Sequence, residues 1–314
     1  MAETQHQPVQ GYSRTSSAPP EHQDQIYVPS TRPTTAEETS DEEPVSVTRA
    51  RDLVILLDFL KDQRDPDDCM SWVELSVHRD IYISEREIIE QSFSQHDYDP
   101  NRGLLTLRWP PNFHGLFAPE IAYELHRQLR QIGKQKNNPG MFASKLMLGG
   151  SATVQLAEGD SKSFQPIRRD PDAQHLHPRS RYPGVVIEVS YSQDGKDLRK
   201  LAEDYILYSK GDIKAVVGVD VNHTEKESTV SLWRAKWTSV ENDVIGEPKL
   251  ESREVISYET FRSVDGRAQN AGKYLELALR DFTPRALSAS HESVPVSISY
   301  RRLFDMLQAA EAVG

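Results

Sequence analysis

The sequence predicts a mixed α/β fold with a central sheet of about five strands flanked by helices. Three observations carry that expectation. Between residues 119 and 237 the patterns run in the order helix, strands, strand, helix, strand, strand. The strand-like runs are short, β-branched and bounded by turn residues, as in Pro183-Gly184-Val185-Val186-Ile187-Glu188-Val189. Residues 1–45 are rich in Gln, Ser, Thr, Pro and Glu and hold almost no aliphatic side chains, so they cannot offset chain entropy by burial. A disordered acidic tail is therefore expected before the folded part.

Order is expected from about Thr48. Leu53, Leu56, Leu57 and Leu60 recur at helical spacing behind a Thr48 N-cap, and Asp65-Pro66 ends that helix. A second helix is expected from Ser84 to Phe93, where Ser84 and Glu87 form a capping-box pattern. His96 to Gly103 reads as a turn. Its Asp97, Asp99 and Asn101 resemble a calcium loop, yet Gly103 comes one position late, Pro100 stiffens it, and Arg108 stands where the closing Glu belongs. Leu104 to Trp109 alternates like a strand. Residues 46–118 thus read as an N-terminal helical extension with a short strand.

Pro119 suits the first position of a helix running to Ile132 and stopped by Gly133. Ile121, Leu125, Leu129 and Ile132 form its apolar stripe, with Glu124 on the flank. Lys145–Leu148 and Thr153–Leu156 read as two strands around Gly149-Gly150, and Phe164–Ile167 as a strand that delivers Asp172. The Glu188 strand follows. Asp197–Tyr208 is a helix with Leu198, Leu201, Ala202 and Tyr205 on one face and Gly211 at its end. Ile213–Val221 and Thr229–Trp237 are strands, which completes a core at 119–240. The C-terminal extension, 241–314, holds a weak strand at Glu254–Ser257, a helix at Ala271–Leu279 and a terminal amphipathic helix at Tyr300–Ala310.

The length of 314 residues suits one large domain or two small ones. A net charge of −11 argues against a protein coated in positive charge for nucleic acid. The charge is uneven: residues 1–50 hold eight acidic residues against three arginines, whereas 161–214 hold ten Lys/Arg against eight Asp/Glu. That mildly basic stretch permits a phosphate-bearing ligand. The single cysteine, Cys69, excludes a disulfide framework within the chain and suits a reducing compartment. With a polar N-terminus and no apolar run longer than Leu53–Leu57, an intracellular place, cytoplasmic or nuclear, is expected, with no membrane partner.

Glu188 is the first functional hint. A carboxylate inside an apolar strand is costly unless it is paired or meets a metal. Asp172 lies beside Pro171 at the start of the preceding strand region. Two carboxylates on neighbouring strands suit a hard cation such as Mg²⁺, which takes oxygen ligands and completes its shell with water. A metal so held lowers the pKa of a water and neutralises charge on a phosphoryl oxygen.

At these residues the chain resembles the PD-(D/E)XK nuclease superfamily, and more narrowly the restriction endonuclease family abundant in cyanobacteria and its fungal relatives. Pro171-Asp172 match the PD half and Glu188-Val189-Ser190 the E-X-K half; Ser192, Asp197 and Tyr205 are similar to that family's serine-rich turn and following helix. The resemblance covers roughly Pro119 to Trp237. It implies a restriction-endonuclease-like core, Mg²⁺-dependent phosphodiester hydrolysis of nucleic acid, and Mg²⁺ on Asp172 and Glu188. A third ligand would come from the first core helix, Glu124 before Glu120.

One motif position departs from the family: Ser190 stands where a Lys is usual. Residues 188 and 190 of a strand face one side, so a Lys there would reach the attacking water or the phosphate, and a Ser supplies no charge. The residues that can take over are Lys200, Arg199 and Lys196 on the following helix, and Gln193, which positions water without charge. Plainer roles stand beside these. Asp172 can cap a turn after Pro171, Glu188 can pair with a buried arginine such as Arg168 or Arg181, and Lys200 can be a surface lysine. His175 and His177 suit a metal pair or an exposed loop equally, and Tyr191 and Trp233 suit packing. Two functions follow. One is a Mg²⁺-dependent nuclease in which Lys200 or Gln193 orients the water. The other is an inactive nuclease-fold protein that binds a protein or nucleic-acid partner, with the acidic Glu37–Glu43 stretch and the terminal helix as contact surfaces.

Overall fold

The computed structural model describes residues 44–62, 72–108, 114–157, 165–190, 196–222, 226–238, 248–282 and 294–313. The expected tail lies outside the described residues except for Pro44 and Val45. The first part holds β1 (Val45–Val47), α1 (Ala50–Asp62), β2 (Trp72–Val77), α2 (Arg79–Ser92), β3 (Gln95–Asp99) and β4 (Leu104–Arg108). Then come α3 (His114–Gly133), α4 (Asn138–Ala143), β5 (Met147–Leu148), β6 (Val154–Leu156), β7 (Ile167–Arg169), β8 (Ala173–Leu176) and β9 (Val185–Ser190). The rest is α5 (Lys196–Tyr208), β10 (Ala215–Val221), β11 (Ser228–Thr238), β12 (Lys249–Arg262), β13 (Tyr274–Ala278), β14 (Pro295–Ser299) and α6 (Tyr300–Glu311). The fold is α/β, and among the described residues no helix is long and apolar enough to cross a membrane.

The central sheet has six strands rather than five, in the order β12-β11-β10-β9-β8-β5. β8 runs antiparallel to its neighbours β5 and β9, and α5 crosses over to bring β10 parallel to β9. The extra length comes from β12, a fourteen-residue strand where a short weak one was expected. Alternation along β9 divides its side chains between two cores. Val185, Ile187 and Val189 pack with Ile121, Leu125 and Leu129 of α3 on one face, while Val186 packs with Leu198, Ala202 and Tyr205 of α5 on the other. Glu188 shares the α5 face.

A second six-stranded sheet, β1-β2-β4-β3-β7-β6, replaces the expected helical extension. Leu53, Leu56, Leu57 and Leu60 of α1 cover it, packed with Leu75, Val77, Leu105 and Leu107. β6 and β7 arise from the core segment yet pair here, with Arg168 opposite Tyr98. Val154, Leu156 and Ile167 meanwhile pack beneath α5, which joins the two sheets.

Other boundaries also differ. Gln95–Asp99 is a strand because β4 and β7 pair with it from both sides. Only residues 100–103 turn, with Gly103 at φ +62° and its carbonyl accepting the Val77 N–H. α2 starts at Arg79 behind a His78 cap, so Ser84 lies inside the helix and its hydroxyl donates to the Ile81 carbonyl. α3 starts at His114, which places Pro119 within the helix, where it removes one intrahelical bond near the start. The helix expected at Ala271–Leu279 is the strand β13, whose Leu275 and Leu277 are buried and whose Tyr274 and Glu276 are exposed. Its pairing with β14 outweighs the helix propensity of Glu, Leu and Ala.

Candidate acidic site

Asp172 and Glu188 come together because β8 and β9 pair antiparallel with Ala173 opposite Ile187. Asp172 Oδ2 accepts the Val189 N–H at 2.7 Å. Gly218 of β10 lies beside Glu188, and a Cβ there would meet the Trp233 ring at 2.6 Å. The Tyr205 hydroxyl, on the inward face of α5, donates to Glu188 Oε1 at 2.6 Å.

The other Glu188 oxygen faces an arginine from the N-terminal sheet. Arg108, the last residue of β4, donates from Nη1 to Glu188 Oε2 at 3.2 Å, and the same nitrogen lies 3.9 Å from Asp172 Oδ1. Its Nη2 donates to Asp97 Oδ1 at 3.0 Å and to the Asp170 carbonyl. Gln95 Nε2 donates to Asp172 Oδ1 at 3.4 Å. The Asp172 and Glu188 side chains are only 3% and 2% exposed, and Arg108 only 14%.

A second ring of charges supports this centre. Asp97 Oδ1 also accepts the Asp170 N–H at 2.8 Å. The Asp170 carboxylate accepts from Thr153 Oγ1 at 2.7 Å, Arg168 Nη2 at 2.9 Å and the His96 N–H at 3.2 Å. Arg169 Nη2 donates to Asp204 Oδ2 at 2.6 Å, and Lys200 Nζ donates to Asp204 Oδ1 at 2.7 Å. The network thus runs from β3 and β7 to α5.

Burial pushes the Glu188 carboxyl well above its ordinary range, and the nearby Asp172 charge adds to it; Arg108 and the Tyr205 hydroxyl draw it partly back. Burial works against the Arg108 charge, but Asp97, Glu188 and Asp172 outweigh it and hold the guanidinium protonated. Burial, then Glu188, push the Tyr205 phenol well up. The result is one fixed cation with three carboxylates around it.

A divalent cation needs open carboxylate lone pairs at about 2.0–2.6 Å and room for water. Here Val189, Gln95, Tyr205 and Arg108 donate to the Asp172 and Glu188 oxygens, and the guanidinium fills the space between the two groups. With Arg108 in this position the residues do not fit Mg²⁺. Among the described residues no group of three or more His, Cys, Asp or Glu stands where it could hold a metal ion.

Glu124 is not brought to this pair. It sits on α3, which packs the opposite face of the sheet, and it accepts from Arg127 Nη2 at 2.6 Å with Arg302 Nε 3.6 Å away. Burial would raise its carboxyl, but Arg127 and Gln128 outweigh that and hold it lowered. Glu120 is exposed. Lys200 is turned to Asp204, and Arg199 donates to Glu254 at 2.6 Å. Gln193, Tyr191 and Ser192 lie outside the described residues, and Ser190 ends β9, partly buried. His175 is buried edge-on to the Phe282 ring at 5.2 Å, and His177 stacks on Phe142 at 5.1 Å, so neither lies in an exposed loop. Trp233 is a core residue.

The residue that sequence reasoning missed is Arg108. The expectation of a buried arginine partner named Arg168 and Arg181; Arg168 serves Asp170 and Glu90, and Arg181 lies over the Tyr182 ring. The available signal was an arginine ending a β-run, with Asp97 in the run before it. Comparison of the chain with protein-family models and with curated proteins finds no match.

Proposed function

We propose that this chain is a restriction-endonuclease-like protein without phosphodiesterase activity, which works by binding a protein or nucleic-acid partner in the cytoplasm or nucleus. The order α3-β5-β8-β9-α5-β10, with its antiparallel strands and parallel crossover, supports the likeness to that core. One observation carries the loss of activity: Arg108 and Tyr205 occupy both oxygens of a fully buried Glu188. A phosphate and its attacking water have no way to that carboxylate while the N-terminal sheet covers it. The acidic Glu37–Glu43 stretch and α6 remain the contact surfaces of this reading, and a basic partner suits the former.

The test is calorimetry of the full chain and of Glu188→Gln with Mg²⁺ and Mn²⁺, together with cleavage assays on single-stranded and duplex DNA and RNA. The expected result is no metal binding and no cleavage by either protein. Mn²⁺ binding that is lost in Glu188→Gln, with metal-dependent cleavage, would overturn the proposal. That outcome would favour the second reading, a Mg²⁺-dependent nuclease with Asp172 and Glu188 as metal ligands. Its support is that one Arg108 nitrogen lies within 3.9 Å of both carboxylates, so the pair does converge.

A further inference from the structure

We infer that His177, Lys145 and Arg179 form a binding site for the terminal phosphate group of a small ligand, at the opposite end of β8 from Asp172. The site goes beyond the reading of the acidic centre and does not rest on it. His177 is 3% exposed, and its ring stacks on Phe142 of α4 with 5.1 Å between centroids and 9° between planes. The Arg179 backbone N–H donates to His177 Nδ1 at 3.2 Å, which puts the proton of the neutral ring on Nε2. That Nε2–H has no hydrogen-bond partner among the described residues. The ring is thus a fixed donor with nothing to donate to.

Two cations flank it. The β5–β8 register pairs Met147 with Leu176, and continued by two residues it sets Lys145 across from Pro178, between His177 and Arg179. Lys145 and Arg179 are exposed, and neither makes an ion pair among the described residues. Burial, then the Lys145 and Arg179 charges, hold the His177 ring below its ordinary value. Burial and Arg130 do the same to His126, and burial and His126 to His175. Every charge that bears on these three rings is therefore positive. The chain is built that way locally: residues 125–157 and 173–187 carry seven Lys/Arg and no Asp or Glu, in a protein of net charge −11. Carboxylates on flanking elements are already taken, Glu124 by Arg127 and Asp281 by Arg234. Such a local field draws anions, and a phosphate oxygen at Nε2–H gains a charge-assisted bond with both cations at hand. Three donors around one point suit one terminal phosphate group.

The experiment titrates pyrophosphate into the full chain at constant ionic strength, followed by calorimetry and by the His177 ring nitrogen resonances. Saturable binding is expected, with the Nε2 resonance shifting as the site fills. Lys145→Ala and Arg179→Ala should each weaken binding about tenfold, and Arg179→Ala keeps the N–H that orients the ring. His177→Phe keeps a ring against Phe142, removes the donor and should weaken binding at least as much. Arg267→Ala removes an arginine that is 84% exposed in the turn after β12, and should bind as the wild type does. No binding overturns the inference, as do equal losses in Arg267→Ala and Lys145→Ala, or a His177 ring that does not respond. A single-stranded oligonucleotide that binds more tightly than pyrophosphate and depends equally on Arg130 and Lys145 would mean a nucleic-acid track instead, which also overturns it. Metal-dependent cleavage by the wild type would refute the proposed function and leave this site standing, whereas a silent pyrophosphate titration refutes only this inference.

Discussion

Tyr205→Phe tests whether donors really close the acidic centre. The Tyr205 ring is fully buried and its hydroxyl donates to Glu188 Oε1 at 2.6 Å. Phenylalanine keeps the ring and its packing, so the change removes one donor and opens almost no cavity. A hydrogen bond to a charged or strongly polarised group contributes about 1.5–3 kcal/mol, and the oxygen left behind has no water to turn to. The expected cost is therefore ~2 kcal/mol, or roughly 4–8 °C in the midpoint for a chain of this size. Urea unfolding followed by fluorescence of the four tryptophans measures it. The pH dependence has a definite sign. Glu188 is raised in the folded state, so its contribution is full at acid pH and lost as pH rises through the folded-state value. The Tyr205 hydroxyl lowers that value, so the cost of removing it must not shrink as pH rises. A Tyr205→Phe protein within ~0.5 kcal/mol of wild type, the usual range of a neutral surface change, would refute the closed-site reasoning.

The remaining predictions concern the surroundings of that centre. Asp204→Ala strips the nearest carboxylate from a buried Arg169 and is expected to cost about 3–5 kcal/mol in urea unfolding; a neutral result would mean that Asp97 alone suffices for Arg169. Gly184→Ala places a Cβ 2.6 Å from the Phe282 carbonyl carbon, where backbone cannot yield locally, and should cost about 1–3 kcal/mol in the same assay. A fragment limited to residues 119–240 leaves β6 and β7 without β3, and Glu188 without Arg108, so circular dichroism should show no cooperative unfolding. His175 is lowered to about 3 by burial and then by His126, so the folded state stays neutral while the unfolded chain gains a proton. Its contribution is full above about pH 6.5 and falls below it, by ~2 kcal/mol at pH 5; His175→Phe should flatten that part of the urea-midpoint profile.

The central core was legible because its signals are local. Apart from Glu188, Val185–Val189 is apolar and β-branched and is bounded by turns, and the stripe from Leu198 to Tyr205 fits one face of a helix. Pairing partners are not local, and there the sequence misled. Nothing in Thr153–Leu156 or Ile167–Arg169 says that the second of these strands pairs with β3, and the first with it, rather than with the central sheet. β3 hides for a related reason: Asp97-Tyr98-Asp99 looks like turn chemistry, and only two flanking strands make it extended. In β13, a run of helix-forming residues masks a two-residue alternation that matters only once β14 is present.

The acidic pair shows how far such reasoning reaches. That Glu188 needs a partner follows from its apolar strand, because burying an unpaired carboxylate is costly. Which partner it has does not follow, since a metal and a guanidinium relieve the same cost and leave the same trace in the local sequence. The choice is made 80 residues away, where β4 ends against the edge of the site and delivers Arg108. The departure at Ser190 reads differently in that light. A lysine at that position would add a second positive charge on the strand face that Glu188 shares, beside a centre where the guanidinium already meets three carboxylates. If Arg108 is the resident cation, restoring the motif by Ser190→Lys should leave the protein without metal binding and without cleavage. A Ser190→Lys single variant that gains metal-dependent cleavage would show instead that the lost lysine, not the arginine, is what silences the site.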